Sequence, residues 1–182
     1  MEIQETGLKD CLIIKPRLFD DSRGYFFESF NQTTFESKTG LSGNFVQDNQ
    51  SFSSYGVIRA LHAQKGEYAQ AKLVRVLSGK VLDVAVDARK GSPTYSQHVA
   101  VELSAENKLQ LYVPRGFLHG FAVLSETAEF FYKCDNYYNK ESEQGVMYND
   151  PTLNINWVIP QEKQLISDKD LILNSFASLS NE

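Results

Sequence analysis

AKLVRVLSGKVLDVAVDA, residues 71–88, carries a clear strand signal. Its halves, AKLVRVLSG (71–79) and KVLDVAVDA (80–88), are runs of Val and Leu that meet at Ser78-Gly79, and they read as two β-strands around a turn. In the second half, alternation places Val81, Asp83, Ala85 and Asp87 on one face and Leu82, Val84 and Val86 on the other, the pattern of a half-buried strand. In the first half Lys72, Val74 and Val76 share a face.

The same character recurs on both sides, in CLIIKPRLF (11–19), YFFESF (25–30), NFVQDNQSF (44–52), GVIRALHAQ (56–64), HVAVEL (98–103), LQLYVP (109–114), GFAVL (120–124) and EFFYKCDNYY (129–138). Gly, Pro, Asn and Ser clusters separate these segments, so the spacing predicts an all-β sandwich or barrel. One short helix is expected at 33–39, with Thr33-x-x-Glu36 as a capping box and Gly40 ending it. The more polar tail from Gln161 to Glu182 reads as an extension lying on the barrel. No internal repeat or low-complexity tract interrupts the chain.

A chain of 182 residues with 42% hydrophobic and 12% aromatic content is read as a single domain, 1–182, with a core of its own. With 18 basic residues against 23 acidic ones, a net charge of −5 and no basic run, nucleic acid is excluded as the expected partner. Cys11 and Cys134 stand far apart and outside any C-x-x-C pattern, which points away from a disulfide framework or a zinc site and toward a reducing compartment. The opening MEIQETGLKD is acidic where a signal peptide is basic and then apolar, and no apolar run reaches membrane-spanning length. The expectation is a cytoplasmic protein without membrane contact.

Polar groups inside β segments carry the functional signal. Gln47, Asn49 and Ser51 share a face of one strand; Arg59 and His62 interrupt another; Lys72 and His119 stand in two more. Singly, a strand histidine is a satisfied structural residue and a strand lysine snorkels to water. Burying His62, Lys72 and His119 together without partners costs several kcal/mol, whereas a polar barrel interior that takes a charged small molecule accounts for all three.

In order, the chain contains D-x-R-G-x-F-x-E-x-F, F-V-Q-D-N-x-S, R-x-L-H-x-Q, K-L-V-R-V, G-K-V-L-D-V-A-V-D-x-R-K-G-S-P-T, L-S-x-E-N-K-x-Q-L, P-R-G-F-x-H-G-F and S-x-K-D. This series resembles the dTDP-4-dehydrorhamnose 3,5-epimerase family from about residue 10 to 170. The resemblance implies a cupin-type double-stranded β-helix, or jelly roll, with short peripheral helices. It further implies a homodimer that uses neither metal nor organic cofactor and acts on dTDP-4-dehydro-6-deoxy-α-D-glucose, inverting C3 and C5 to give dTDP-4-dehydro-β-L-rhamnose. By the same resemblance His62 is the base, Tyr132 the acid, Lys72 the residue beside the enolate oxygen and Asp170 the partner of the base. Arg23 and Arg59 match diphosphate contacts; Glu28, Gln47, Asp48, Asn49, His119, Glu143 and Lys169 match other binding positions; Tyr138 matches the ring stacked on thymine. In the family some of these groups reach the ligand from the partner subunit, and here the segment Arg23 to Glu28 is expected to do so.

Two positions depart from the family pattern, in which R-G-L-H is followed by an aromatic residue and Q. Ala60 replaces the glycine and Ala63 the aromatic. Arg59 and His62 would lie on opposite faces of a regular strand, so a bulge or bend is required if both touch one ligand. Ala63 leaves room that a different sugar could fill. The alternatives are an epimerase acting at C3 or C5 alone, a metal-dependent cupin using His62, Glu67 and His119 despite Gln64 at a ligand position, and a non-catalytic nucleotide-sugar binder.

Overall fold

The computed structural model describes residues 1–179. Its strands are β1 (Glu2–Glu5), β2 (Leu12–Lys15), β3 (Phe19–Asp21), β4 (Gly24–Phe26), β5 (Gln47–Ser54), β6 (Val57–Gln64), β7 (Lys72–Ser78), β8 (Lys80–Asp87), β9 (His98–Ser104), β10 (Gln110–Val113), β11 (Phe117–Val123), β12 (Thr127–Cys134), β13 (Glu143–Gly145) and β14 (Leu165–Ile166). Three short helices accompany them: α1 (Gln32–Thr39), α2 (Asp168–Leu171) and α3 (Phe176–Leu179).

Two sheets face each other. The first runs β1-β2-β10-β7-β12-β5 and the second β13-β6-β11-β8-β9, with β14 added in parallel to β6. Between them lies a core of Val74, Val76, Leu111, Val113 and Phe130 from the first sheet against Val81, Ala85, Phe121 and Val123 from the second. Each Val, Leu or Phe among them contributes about 1.5–3 kcal/mol by leaving water. At one end the apolar packing gives way to polar side chains, and the cavity described below opens there.

Both outer faces are also covered. On the first sheet, Phe35 of α1 packs on Ile14, Leu73 and Tyr112. On the second, Leu153, Trp157, Ile159 and Phe176 lie over Ile58, Val84, Val86, Leu118 and Ala122. The faces of β8 are divided as its alternation predicts, but the strand is not half-buried: Val81 and Ala85 face the core between the sheets, and the segment after Val146 covers Val84 and Val86 on the other side.

Three local expectations need correction. α1 is capped by Asn31, whose side chain accepts from Thr34 N, and not by Thr33; the Glu36 carboxylate instead accepts from Gln32 Nε2 and Gly43 N. Gly40 does end the helix, in the left-handed conformation at φ 69°. The run 11–19 is not one strand, because it breaks at Pro16, which has no N–H to continue a ladder. The strand expected at 25–30 stops at Phe26.

Candidate active site

β6 carries the irregularity that the spacing of Arg59 and His62 requires. His62 pairs with His119 and Arg59 with Phe121, so three steps on β6 match two on β11 and the extra residue forms a bulge. The Ala60–Leu61 peptide within it is cis. The bulge turns both Arg59 and His62 toward one cavity of about 460 Å³. Ala60 is buried against Gly120, the only residue type that leaves it room there.

The second sheet supplies His62 and His119 to this cavity, and the first supplies Asn49, Lys72 and Tyr132. Glu143 comes from β13 and Tyr138 from the loop before it. Lys169 and Asp170 come from α2. The α2 turn is set by Ser167, whose Oγ accepts from Asp170 N, and β14 ties the segment to β6 through Leu165↔Val57 and Ile166↔Ile58. Asp170 is thereby delivered, buried, with Oδ1 at 3.1 Å from His62 Nε2.

The electrostatics separate the three central groups. Burial pushes His62 below its ordinary value, and the opposing pull of the Asp170 carboxylate does not cancel that effect. Burial raises the Tyr132 hydroxyl to about 12. Lys72 is lowered, again by burial, with Cys134 and Asp83 acting the other way. Its ammonium stands 5.6 Å from the Tyr132 ring centroid and forms no ion pair among the described residues. The cavity therefore offers an uncharged imidazole, a protonated phenol and a buried amine held by no ion pair among the described residues.

Around them, Arg59 Nε donates to Ser53 Oγ at 3.2 Å, and Lys169 Nζ pairs with Glu143 Oε2 at 2.8 Å. Four of the residues singled out in the sequence do not line the cavity. Gln47 stands behind it, accepting from Tyr138 N at 3.0 Å and donating to Asn49 Oδ1 at 3.1 Å. Asp48 points away and pairs with Lys133 at 2.9 Å. Arg23 is exposed in the β3–β4 hairpin and pairs with Asp21; Glu28 accepts from Asn31 Nδ2 at 3.2 Å. The β3–β4 hairpin forms its own two-stranded sheet.

The structure adds residues that sequence reasoning did not select. Gln64 Oε1 accepts from Asn139 N at 2.8 Å, and Gln70, Gln144 and Ser167 complete the walls. Beneath the cavity, Asp83 holds His119, with both carboxylate oxygens 3.0 Å from Nε2. Alternation had already put Asp83 on one face of β8 with Val81 and Ala85, but its partner on β11 is not readable from that pattern. The positions a metal cupin would use are otherwise engaged: Gln64 by Asn139 and His119 by Asp83. Among the described residues no three His, Cys, Asp or Glu side chains form a metal-binding group. Cys11 and Cys134 are both buried free thiols.

Comparison with known proteins places this geometry in a family. Residues 5–178 match the model of the dTDP-4-dehydrorhamnose 3,5-epimerases. The chain belongs to this family. A family member from Shigella flexneri is 53% identical over 171 residues, covering 94% of this chain and 93% of its own. The crystal structure of the epimerase from Elizabethkingia anophelis shares 59% identity, with a TM-score of 0.95 over 98% of this chain and 97% of the other. That of a dTDP-6-deoxy-D-glucose-3,5-epimerase from Legionella pneumophila, in complex with dTDP-4-keto-L-rhamnose, shares 46% identity, with a TM-score of 0.93 over 98% and 96% of the two chains. The cupin-like jelly roll of these epimerases is the fold of the two facing sheets.

Proposed function

We propose that the chain converts dTDP-4-dehydro-6-deoxy-α-D-glucose to dTDP-4-dehydro-β-L-rhamnose, with side chains alone as acid and base. The observation that carries this reading is the placement of His62 and Tyr132 on opposite sheets across a single cavity. A sugar lying between them presents one face to each. Inversion needs that arrangement, because a proton leaves one face of a carbon and returns to the other.

C3 and C5 both flank the C4 ketone, so the same groups serve both centres. Nε2 of His62 is engaged by Asp170, which leaves Nδ1 to take the proton. The C–H electron pair moves toward the ketone and places negative charge on its oxygen. Lys72, buried in the wall and in no ion pair among the described residues, stabilises that enolate by donating to its oxygen. Tyr132 then donates its hydroxyl proton to the carbon from the opposite face, and exchange with water resets both groups. A positioned acid or base contributes about 10²–10⁴-fold each.

The nucleotide half of the ligand takes the remaining polar wall. Arg59 binds the diphosphate side, for which a guanidinium fork is well shaped, and Lys169 is a further ligand-binding position. Asn49, Glu143 and His119 bind the substrate directly, Gln47 supports Asn49 and the Tyr138 backbone, and Tyr138 stacks on the thymine. Arg23, Glu28 and Asp48 lie off this chain's cavity, and in a homodimer the exposed Arg23–Glu28 segment supplies the neighbouring copy's site. Residues 1–182 act as one cytoplasmic unit, with 161–182 as an extension that carries Asp170 to the barrel; 180–182 lie outside the described residues.

Proton NMR of the purified protein with this substrate in D₂O tests the reading. Deuterium entering at both C3 and C5, with His62→Ala abolishing it, is the expected result. Exchange at one carbon would instead identify a single-centre epimerase. No exchange in a folded protein that still binds dTDP would leave the non-catalytic binder.

A further inference from the structure

Asp83 is a fully buried carboxylate to which the reaction above gives no task. Its neighbours on the same face of β8, Val81 and Ala85, belong to the apolar core. A charge placed there is costly unless it is paired, and replacing such a pair by packed apolar groups is often neutral or stabilising. Packing alone therefore does not call for it. The pairing is specific: both oxygens of Asp83 lie 3.0 Å from His119 Nε2, and the His119 ring stacks on Phe130 with centroids 6.0 Å apart. His119 lines the cavity whereas Asp83 does not. A carboxylate accepts and does not donate, so Nε2 carries a proton. Nδ1 has no hydrogen-bond partner among the described residues.

We propose that Asp83 is a positioning residue for the epimerisation: it fixes the ring angle and tautomer of His119, so that Nδ1 is presented to accept a hydrogen bond from a hydroxyl of the bound sugar. The inference rests on the epimerase reading and deepens it, because it assigns the cavity floor to the sugar rather than to the nucleotide. Outer groups that orient metal-ligating imidazoles typically matter about 10- to 100-fold, and an effect of the same order is expected for Asp83.

Asp83→Asn preserves volume and removes the obligatory acceptor. Deuterium incorporation from solvent into dTDP-4-dehydro-6-deoxy-α-D-glucose should slow about 10- to 100-fold in kcat, while the Kd for dTDP, which lacks the sugar, stays within about twofold of wild type. In a His119→Asn background the Asp83→Asn change should have no further effect, since it acts through the imidazole. An unchanged kcat in Asp83→Asn, or effects that multiply in the double variant, would overturn the assignment while leaving the epimerase reading standing. A wild-type protein that incorporates no deuterium would overturn both. ¹⁵N NMR of His119 in the wild type needs no folded variant: a protonated Nε2 is expected, and a ring protonated on Nδ1 alone refutes the proposal.

Discussion

Nε2 of His62 lies 3.1 Å from Oδ1 of Asp170, a contact that joins the bulged strand β6 to the α2 turn near the end of the chain. The Asp170 carboxylate favours the protonated form of the base. It steadies the imidazolium formed when a proton arrives, and it raises a proton affinity that burial has pushed down.

The sign of the pH dependence follows. His62 must be uncharged to act, and its pKa lies below 6.5, so kcat/KM should rise from acid through that value and be flat at neutrality. In Asp170→Asn the raising influence is gone. The acid limb should move to lower pH while the plateau falls about 10- to 100-fold. A pH–rate profile for the two proteins checks both; a limb displaced to higher pH would mean that another group is the base.

Tyr132→Phe separates proton removal from inversion. The hydroxyl alone is lost, and the ring keeps its packing beside Phe130, 6.0 Å away between centroids. Net inversion should fall by about 10²–10⁴. Because His62 remains, deuterium should still enter the substrate, now with retention at the carbon. NMR that resolves label from configuration makes the measurement, and undiminished inversion would assign the acid elsewhere.

The strands were legible because their signal is local. Val and Leu runs, period-two alternation and turn residues place β5 through β12 close to where they are. The pairing partners were not legible, since nothing in KVLDVAVDA says that β8 will lie between β11 and β9 or that a later segment will cover its outer face. The site divides in the same way. Arg59 and His62 announced a bulge because a regular strand cannot aim both at one ligand. Asp83 was visible as a carboxylate sharing a face with Val81 and Ala85, but its bond to His119 depends on cross-strand register. Asp170 sits in a polar tail whose local sequence offers only a helix cap, so its place beside His62 is a product of the whole fold. Arg23 and Glu28 mark the converse case, in which the sequence series extends beyond what one chain gathers at its cavity.

A cluster away from the cavity should control stability without touching activity. Asp87 is buried and accepts from Arg89 Nε at 3.0 Å, Arg89 Nη2 at 2.9 Å, Ser92 Oγ at 2.6 Å and Thr94 Oγ1 at 2.7 Å. Burial by itself would raise this carboxyl, but these donors outweigh it and hold the group well below the usual carboxylate range. Arg89→Ala strands a buried charge, at a cost of about 3 kcal/mol, or a fall of about 10 °C in Tm. The stability that Asp87 contributes is present above its unfolded value of 3.8 and is lost as pH falls through the lower folded value. The Tm gap between variant and wild type should therefore narrow in strong acid, with kcat unchanged throughout at neutral pH. A gap that stays constant to low pH would mean that Arg89 stabilises through its packing on Phe117 instead.

Gly120 tests how the bulge is held. It lies between His119 and Phe121, where β11 meets the extra residue of β6. A Cβ at this position would sit 2.5 Å from Ala60 Cβ, 2.7 Å from Arg59 O and 2.9 Å from Ala60 Cα. Two of these atoms are backbone and cannot rotate away, so Gly120→Ala must displace the segment that aims Arg59 and His62. Overpacking of this kind costs about 1–3 kcal/mol, which should appear as a lower Tm. The loss of epimerisation should exceed what that destabilisation explains, because a small shift of His62 breaks its alignment with the reacting carbon. Adding Ala60→Gly removes the side-chain clash but leaves Arg59 O in place, so the double variant should recover part of both Tm and activity. Recovery of Tm with no return of solvent-deuterium exchange would show that Ala60 itself, and not only its fit against Gly120, sets the position of His62.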